Sequence, residues 1–187
     1  MGVSDDRELV EGVLAGIPGT FERLVRNYQG LCWHIIFRMV RDPETSRDLC
    51  QETFLRVHQK LHQYRQDRPL KGWIGRVAYT IALRHLERRA VPVVDAPSGP
   101  ADESAVELIE GDFDLEQAYL DQELVGRLHA EIERLAPVPR AILSLYHLEE
   151  LSIDEIAGIT DLPAGTIKSH LFRARIQLRK ALESTWG

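Results

Sequence analysis

Between Ala90 and Asp112 the chain reads VPVVDAPSGPADESAVELIEG, three prolines among small residues and acids with no helical period of any length. Such a stretch reads as a linker, and it divides the 187 residues into halves of ordinary small-domain size. The expected organisation is residues 1–90, a linker over 91–112, and residues 113–187. Outside the linker, apolar residues recur at spacings of three and four, and no run of β-branched residues alternates as a strand would. The expected fold is all-α: two small helical domains joined by a flexible acidic linker.

Hydrophobic residues make up 44% and charged residues 28%, the composition of a globular chain, and no apolar run approaches bilayer length. The start, MGVSDDRELVEG, is acidic and lacks the apolar core of a secretion signal, so a cytoplasmic location without membrane insertion is expected. Cys32 and Cys50 form no CxxC pair and read as small core residues. His58 and His62 stand at i and i+4, but no third ligand is near in sequence, so no metal site and no cofactor are expected. Nucleophile elbow, P-loop and HExxH motifs are absent from the sequence, which makes a self-standing enzyme the weakest class.

The net charge of −6 is unevenly spread. Residues 19–90 carry fourteen Lys or Arg against seven acids, whereas residues 91–135 carry two Arg against twelve acids. A basic block followed by an acidic one points to nucleic acid as a partner of the first, which the net charge of the whole chain conceals.

The helix starts are legible. Thr20 is a candidate cap for a helix running to about Arg41. Asp42 with Pro43 opens the next, and Pro69 precedes a third near Trp73. A long segment from about Phe113 to Leu135 should end before Pro137 and Pro139, followed by helices over PRAILSLYHL, over SIDEIAGIT and from Pro163. Ser152 with Glu155 three residues on is a capping box before a short helix. The turn after it, with small Ala157 and Gly158 for a close crossing, predicts a helix-turn-helix. At about 100° per residue, Ile167, Leu171, Ala174 and Leu178 form one stripe facing the core. Ser169, Phe172 and Arg173 then lie opposite, flanked by Lys168 and His170, where Arg can pair with guanine and Phe can meet a thymine methyl.

A second constellation, YRQDRPLKGWIGRVAYTIALRHLERR, sets Tyr64, Trp73 and Tyr79 among Arg76, Arg84, Arg88 and Arg89. Charge to hold a strand and rings to stack its bases are what single-strand binding requires. Trp73 equally suits a core anchor, and Arg88 and Arg89 suit a helix C-terminus.

Taken together, FERLVRNY, DPETSRDLCQETFL, KGWIGRVAYTIALRHLERR and LSIDEIAGITDLPAGTIKSHLFRARIQLRKAL resemble, in order and spacing, the sigma-70 superfamily. The resemblance is to its short extracytoplasmic-function (ECF) sigma factors, which have only regions 2 and 4. It covers residues 5–90 and 113–183. It implies a bacterial initiation factor without an active site of its own, monomeric outside the holoenzyme. Its partners would be core RNA polymerase, through the β′ clamp helices and the β flap, and promoter DNA. Position by position, −35 contacts would fall on Lys168, Ser169, His170, Phe172 and Arg173. The −10 contacts would fall on Arg65, Arg68, Lys71, Trp73, Arg76, Thr80 and Arg84, with the loop from Arg65 to Gly72 as the pocket for a flipped base. Core polymerase would meet Glu44, Asp48, Gln51 and Glu52.

The chain departs from the family pattern in two places. Leu70, Gly72, Thr80 and Arg84 stand where relatives commonly have Phe and Thr before the Trp and Asn and Asp on the helix. Thr45, Ser46, Arg47 and Asp48 stand where relatives commonly have Asp-Ala-Glu-Asp. On that helix Leu49, Cys50, Phe54, Val57 and Leu61 form the apolar stripe and Ser46 points toward it. Thr45, Asp48 and Glu52 share the outward face. A phosphate on Thr45 would add about −1.5 to −2 charge near a helix N-terminus and restore what the substitutions remove. Control by a Ser/Thr kinase acting on Thr45 is therefore one expectation, and control by an anti-sigma factor the other. The rival functions are a helix-turn-helix regulator acting without polymerase, and an interaction protein that has kept the fold but lost promoter activity.

Overall fold

The computed structural model describes residues 3–66, 69–89 and 122–183. Among them no strand occurs, and eight α-helices carry the structure. In the N-terminal half these are α1 (Val3–Leu14), α2 (Thr20–Val40), α3 (Pro43–Lys60) and α4 (Leu70–Arg88). In the C-terminal half they are α5 (Gln122–Arg134), α6 (Pro137–His147), α7 (Ile153–Thr160) and α8 (Ala164–Glu183). Residues 113–121 of the segment expected to be helical lie outside the described residues.

Helix α2 is the central wall of the N-terminal half. Leu24, Leu31, Cys32, Ile35, Ile36 and Met39 recur at helical spacing and are buried against α1, α3 and α4. Thr20 does not cap it. Gly19, in the left-handed region at φ 82°, takes the cap position, and Thr20 Oγ1 donates instead to the Ile17 carbonyl at 2.7 Å. Asp42 does cap α3, accepting the Thr45 amide at 2.7 Å with Pro43 in the first turn. The expected stripe of α3 is on its buried side, joined by fully buried Ser46 and Thr53. Helix α6 starts at Pro137 and holds both prolines in its first turn, where a missing N–H leaves no bond unmade.

The buried apolar residues of both halves form one continuous cluster. Helix α6 packs on α2, and α7 packs on α4. The junction includes one buried cation. Arg140 of α6 is 3% exposed and donates to the carbonyls of Arg38 and Met39 at the end of α2, the latter at 3.2 Å. It also donates to the carbonyls of Glu133 and Leu135, each at 2.9 Å. These bonds satisfy backbone acceptors that a helix end leaves without partners. Arg41 adds a bond to the Glu133 carbonyl at 2.9 Å and an ion pair with its side chain.

Candidate nucleic-acid interface

The capping box is formed as its spacing requires: Ser152 Oγ accepts the Glu155 amide at 3.3 Å and Glu155 Oε2 accepts the Ser152 amide at 2.9 Å. The bonds from Ser152 hold the Glu155 carboxyl below its ordinary value, first through the backbone and then through the hydroxyl, with Lys71 a smaller cause. Helix α7 stops at Asp161, which turns left-handed at φ 63°, and α8 begins three residues later. Two helices joined by this short turn make the helix-turn-helix.

Ile167, Leu171, Ala174 and Leu178 are all buried. On the face expected to meet solvent, Lys168 and Arg173 are exposed and Phe172 is half-buried, but Ser169 and His170 are buried at 6% and 4% exposure. A one-sided helical wheel misplaces these two because α8 packs on α5, α6 and α7 and so is covered on more than one side. Ser169 Oγ donates to its own helix, to the Gly165 carbonyl at 2.8 Å. Burial, and then the charge of Arg173, pushes the His170 imidazole below its ordinary value. The close crossing expected at Gly158 is not there either, since a Cβ added at Gly158 would meet nothing within 4 Å.

In the N-terminal half the cationic cluster surrounds the start of α4. Arg65, Lys71, Trp73 and Arg76 line one wall of a cleft of about 630 Å3, and Asp154, Glu155 and Ile159 line the other. Trp73 and Tyr64 are half-buried and pack on the core with ring centroids 5.6 Å apart, and Trp73 lines the cleft. Tyr79 is 4% exposed, and burial pushes its phenol up to about 12, so it is a core residue and no stacking platform. Thr80 Oγ1 donates to the Arg76 carbonyl at 2.8 Å, and Arg84 is exposed. Arg68 lies outside the described residues. Arg76 of α4 pairs with Asp161, at the end of α7, at 2.7 Å.

On α3, Glu44, Asp48 and Gln51 are exposed, and half-buried Glu52 accepts from Arg56 at 2.9 Å. Thr45 is half-buried in the first turn. Its side chain and then its amide hold the Asp42 carboxyl below the ordinary value. Sequence reasoning passed over Leu55, 65% exposed and on the same face as Asp48 and Glu52 at i+7 and i+3. Its signal was an aliphatic residue outside the buried stripe. Arg140 was also passed over, because a lone Arg in PRAILSLYHL reads as a solvated charge.

The remaining candidates are placed as follows. Cys32 is buried and Cys50 half-buried, and burial pushes both thiols up, that of Cys50 to about 11. His58 meets Phe21 edge-on at 4.8 Å. Among the described residues no three His, Cys, Asp or Glu side chains gather as a metal requires, and no helix is long and apolar enough to cross a membrane.

Comparison with known proteins gives the family. Residues 24–91 match the family described as Sigma-70 region 2, and residues 126–178 match Sigma-70, region 4. The RNA polymerase sigma-H factor of Pseudomonas aeruginosa is 34% identical over 184 residues, covering 95% of this chain and 94% of the relative. The ECF RNA polymerase sigma-E factor of Escherichia coli strain K12 is 33% identical over 176 residues, covering 91% and 90%. Two solved structures share the fold. CnrH in complex with the cytosolic domain of CnrY has a TM-score of 0.66 at 21% identity, covering 96% of this chain and 97% of that one. RpoE from Bartonella quintana, in complex with the anti-sigma factor NepR, has a TM-score of 0.61 at 19% identity, covering 87% and 96%. With both regions matched in order and relatives matched along nearly their whole length, this chain belongs to the ECF sigma factors of the sigma-70 family.

Proposed function

We propose that the chain directs promoter-specific initiation by bacterial core RNA polymerase, with α4 and the loop before it at the −10 element and α8 at the −35 element. The outward face of α3, with Glu44, Asp48, Gln51, Glu52 and exposed Leu55, meets the β′ clamp helices, and the C-terminal half meets the β flap. The polymerase supplies the chemistry, and this chain supplies recognition without a cofactor. The observation that carries the reading is a capped helix-turn-helix whose second helix exposes Lys168 and Arg173, joined in one chain to a second cationic cluster beside Trp73. A regulator with the helix-turn-helix alone has no use for the second cluster.

The test is reconstitution of full-length protein with core polymerase on a promoter library randomised at both elements. Selection of one −35 and −10 pair, with the −35 preference relaxed by Lys168→Ala and Arg173→Ala, is expected. Output no higher than core alone overturns the reading.

For control we infer an anti-sigma partner. The support is the fold, which is shared with two structures solved as complexes, one with the cytosolic domain of CnrY and one with the anti-sigma factor NepR. A second reading has an observation of its own: Thr45 stands in the first turn of α3 beside exposed Asp48, where phosphate would add charge to the clamp-facing side. The same phosphate would crowd Asp42, which already holds the Thr45 amide. Core affinity of Thr45→Glu and Thr45→Ala against wild type at one salt concentration decides between them. Kinase control requires tighter binding by Thr45→Glu, and equal binding by all three leaves the anti-sigma reading.

A further inference from the structure

We propose that the cleft between α4 and α7 binds a free purine nucleoside monophosphate. The base lies on Trp73, the phosphate at Arg65 and Lys71, and the amine and hydroxyl donors face Asp154, so the site needs both walls.

Room for a ligand is made by two glycines. Gly72 of α4 and Gly158 of α7 line the cleft, one from each wall, and a Cβ at either would meet nothing within 4 Å among the described residues. Glycine inside a helix is disfavoured, so each such position needs a reason. Gly75 has one, because Ile159 packs directly on it. Gly72 and Gly158 admit no neighbour, and what they leave instead is cleft volume. At about 630 Å3 the cleft lies within the range of small-molecule sites.

The chemistry of the lining selects the class of ligand. Arg76 is already paired with Asp161, and Glu155 accepts from the Ser152 amide and hydroxyl. Arg65, Lys71 and Asp154 form no salt bridge among the described residues, although the charge of Lys71 acts on Glu155. Two such cations suit one phosphate, and a carboxylate on the opposite wall suits amine and hydroxyl donors, which an inorganic anion lacks. Half-buried Trp73 lines the same cleft, and an indole stacks on any base. A ligand with an anion at one end, a ring, and donors elsewhere uses all three features. The loop before Trp73 also belongs to the −10 reading given above, but Gly158 has no part in that reading.

Isothermal titration calorimetry of the full chain with adenosine 5′-monophosphate, adenosine and inorganic phosphate, at one salt concentration, tests the site. The monophosphate should bind about tenfold more tightly than adenosine or phosphate, because it alone uses ring and cations together. Gly158→Leu fills the cleft from the α7 wall and should weaken nucleotide binding about tenfold or more, as should Lys71→Ala. Gly126→Leu, the same exchange at an exposed glycine of α5, should leave affinity within about twofold of wild type. Leucine favours a helix over glycine, so both leucine variants should melt no lower than wild type. Gly158→Ala, with one methyl to place, should weaken binding by a smaller factor and guards against misfolding of the larger variant. No heat from the nucleotide, phosphate binding as tightly as the nucleotide, or Gly158→Leu binding like Gly126→Leu overturns the proposal. Promoter output from reconstituted holoenzyme separates this site from the −10 assignment, and Gly158→Leu should retain it. If output falls together with nucleotide binding, the cleft is part of the promoter surface and the separate ligand site has failed.

Discussion

Ile159 occupies the space that a side chain at position 75 would need: a Cβ at Gly75 stands 3.0 Å from both Cγ1 and Cδ1 of Ile159. Replacing Gly75 by Ala gains about 0.5–1 kcal/mol of helix propensity and incurs about 1–3 kcal/mol of overpacking. Gly75→Ala should therefore lower stability by about 1 kcal/mol in urea denaturation, and Gly75→Val by clearly more. The two should rank in the same order in radius of gyration, because the strain falls on the junction of α4 and α7.

Arg140 makes its bonds in a buried site, where burial pushes its pKa down to about 10, still cationic at neutral pH. Removing it leaves carbonyls at two helix ends without donors. Arg140→Ala should cost about 2–4 kcal/mol, from charge-assisted bonds lost and acceptors left unpaired. Arg140→Lys should recover only part of this, since one ammonium cannot reach four carbonyls from two directions.

Ser152 caps α7 through both halves of its box. Ser152→Ala should cost about 1 kcal/mol of stability by thermal or urea melting, and Ser152→Asp much less.

Three histidines set the response to mild acid: buried His170, half-buried His85, and His147, which burial and then Arg175 push below its ordinary value. His170 is shifted below its ordinary value by burial and then Arg173, and His85 by burial and then by Arg89 and Arg88, against smaller opposing effects of Asp42 and Glu52. Above the unfolded value of about 6.5 both states are neutral and nothing changes. Below it the unfolded chain takes up protons that the folded one refuses, so stability falls with pH until the folded values are reached. The melting temperature should drop as the pH falls below about 6.5, and the drop should shrink in His170→Gln. Asp42 and Glu155 are shifted down, so their contribution is lost only at lower pH and leaves this window clear.

Leu55 is exposed and outside the core, so Leu55→Asp should leave the unfolding free energy within about 0.5 kcal/mol of wild type in urea denaturation. If α3 is the clamp-facing helix, the same change should weaken core polymerase binding in a pull-down or titration.

The features readable in advance were those encoded within a few residues. Asp42 with Pro43, Ser152 with Glu155 and the stripe from Ile167 to Leu178 are local patterns, and each is formed as its spacing indicates. Those misread depend on distant chain. Ser169 and His170 are covered because three helices surround α8, and Tyr79 is interior because α4 is packed from two sides. Thr20 failed as a cap because Gly19 turns the backbone one residue earlier. Arg140 has no local signature, since the acceptors it bonds across the junction, the carbonyls of Arg38 and Met39, are about a hundred positions away.

Those acceptors have an evolutionary consequence. Arg140 recognises the main chain at positions 38 and 39, and any residue there presents the same carbonyl oxygens. The clasp is thus indifferent to side-chain drift at the end of α2 and depends on a single codon in α6. A lineage could tighten or release the hold of one half on the other by one substitution, without a matching change in the other half.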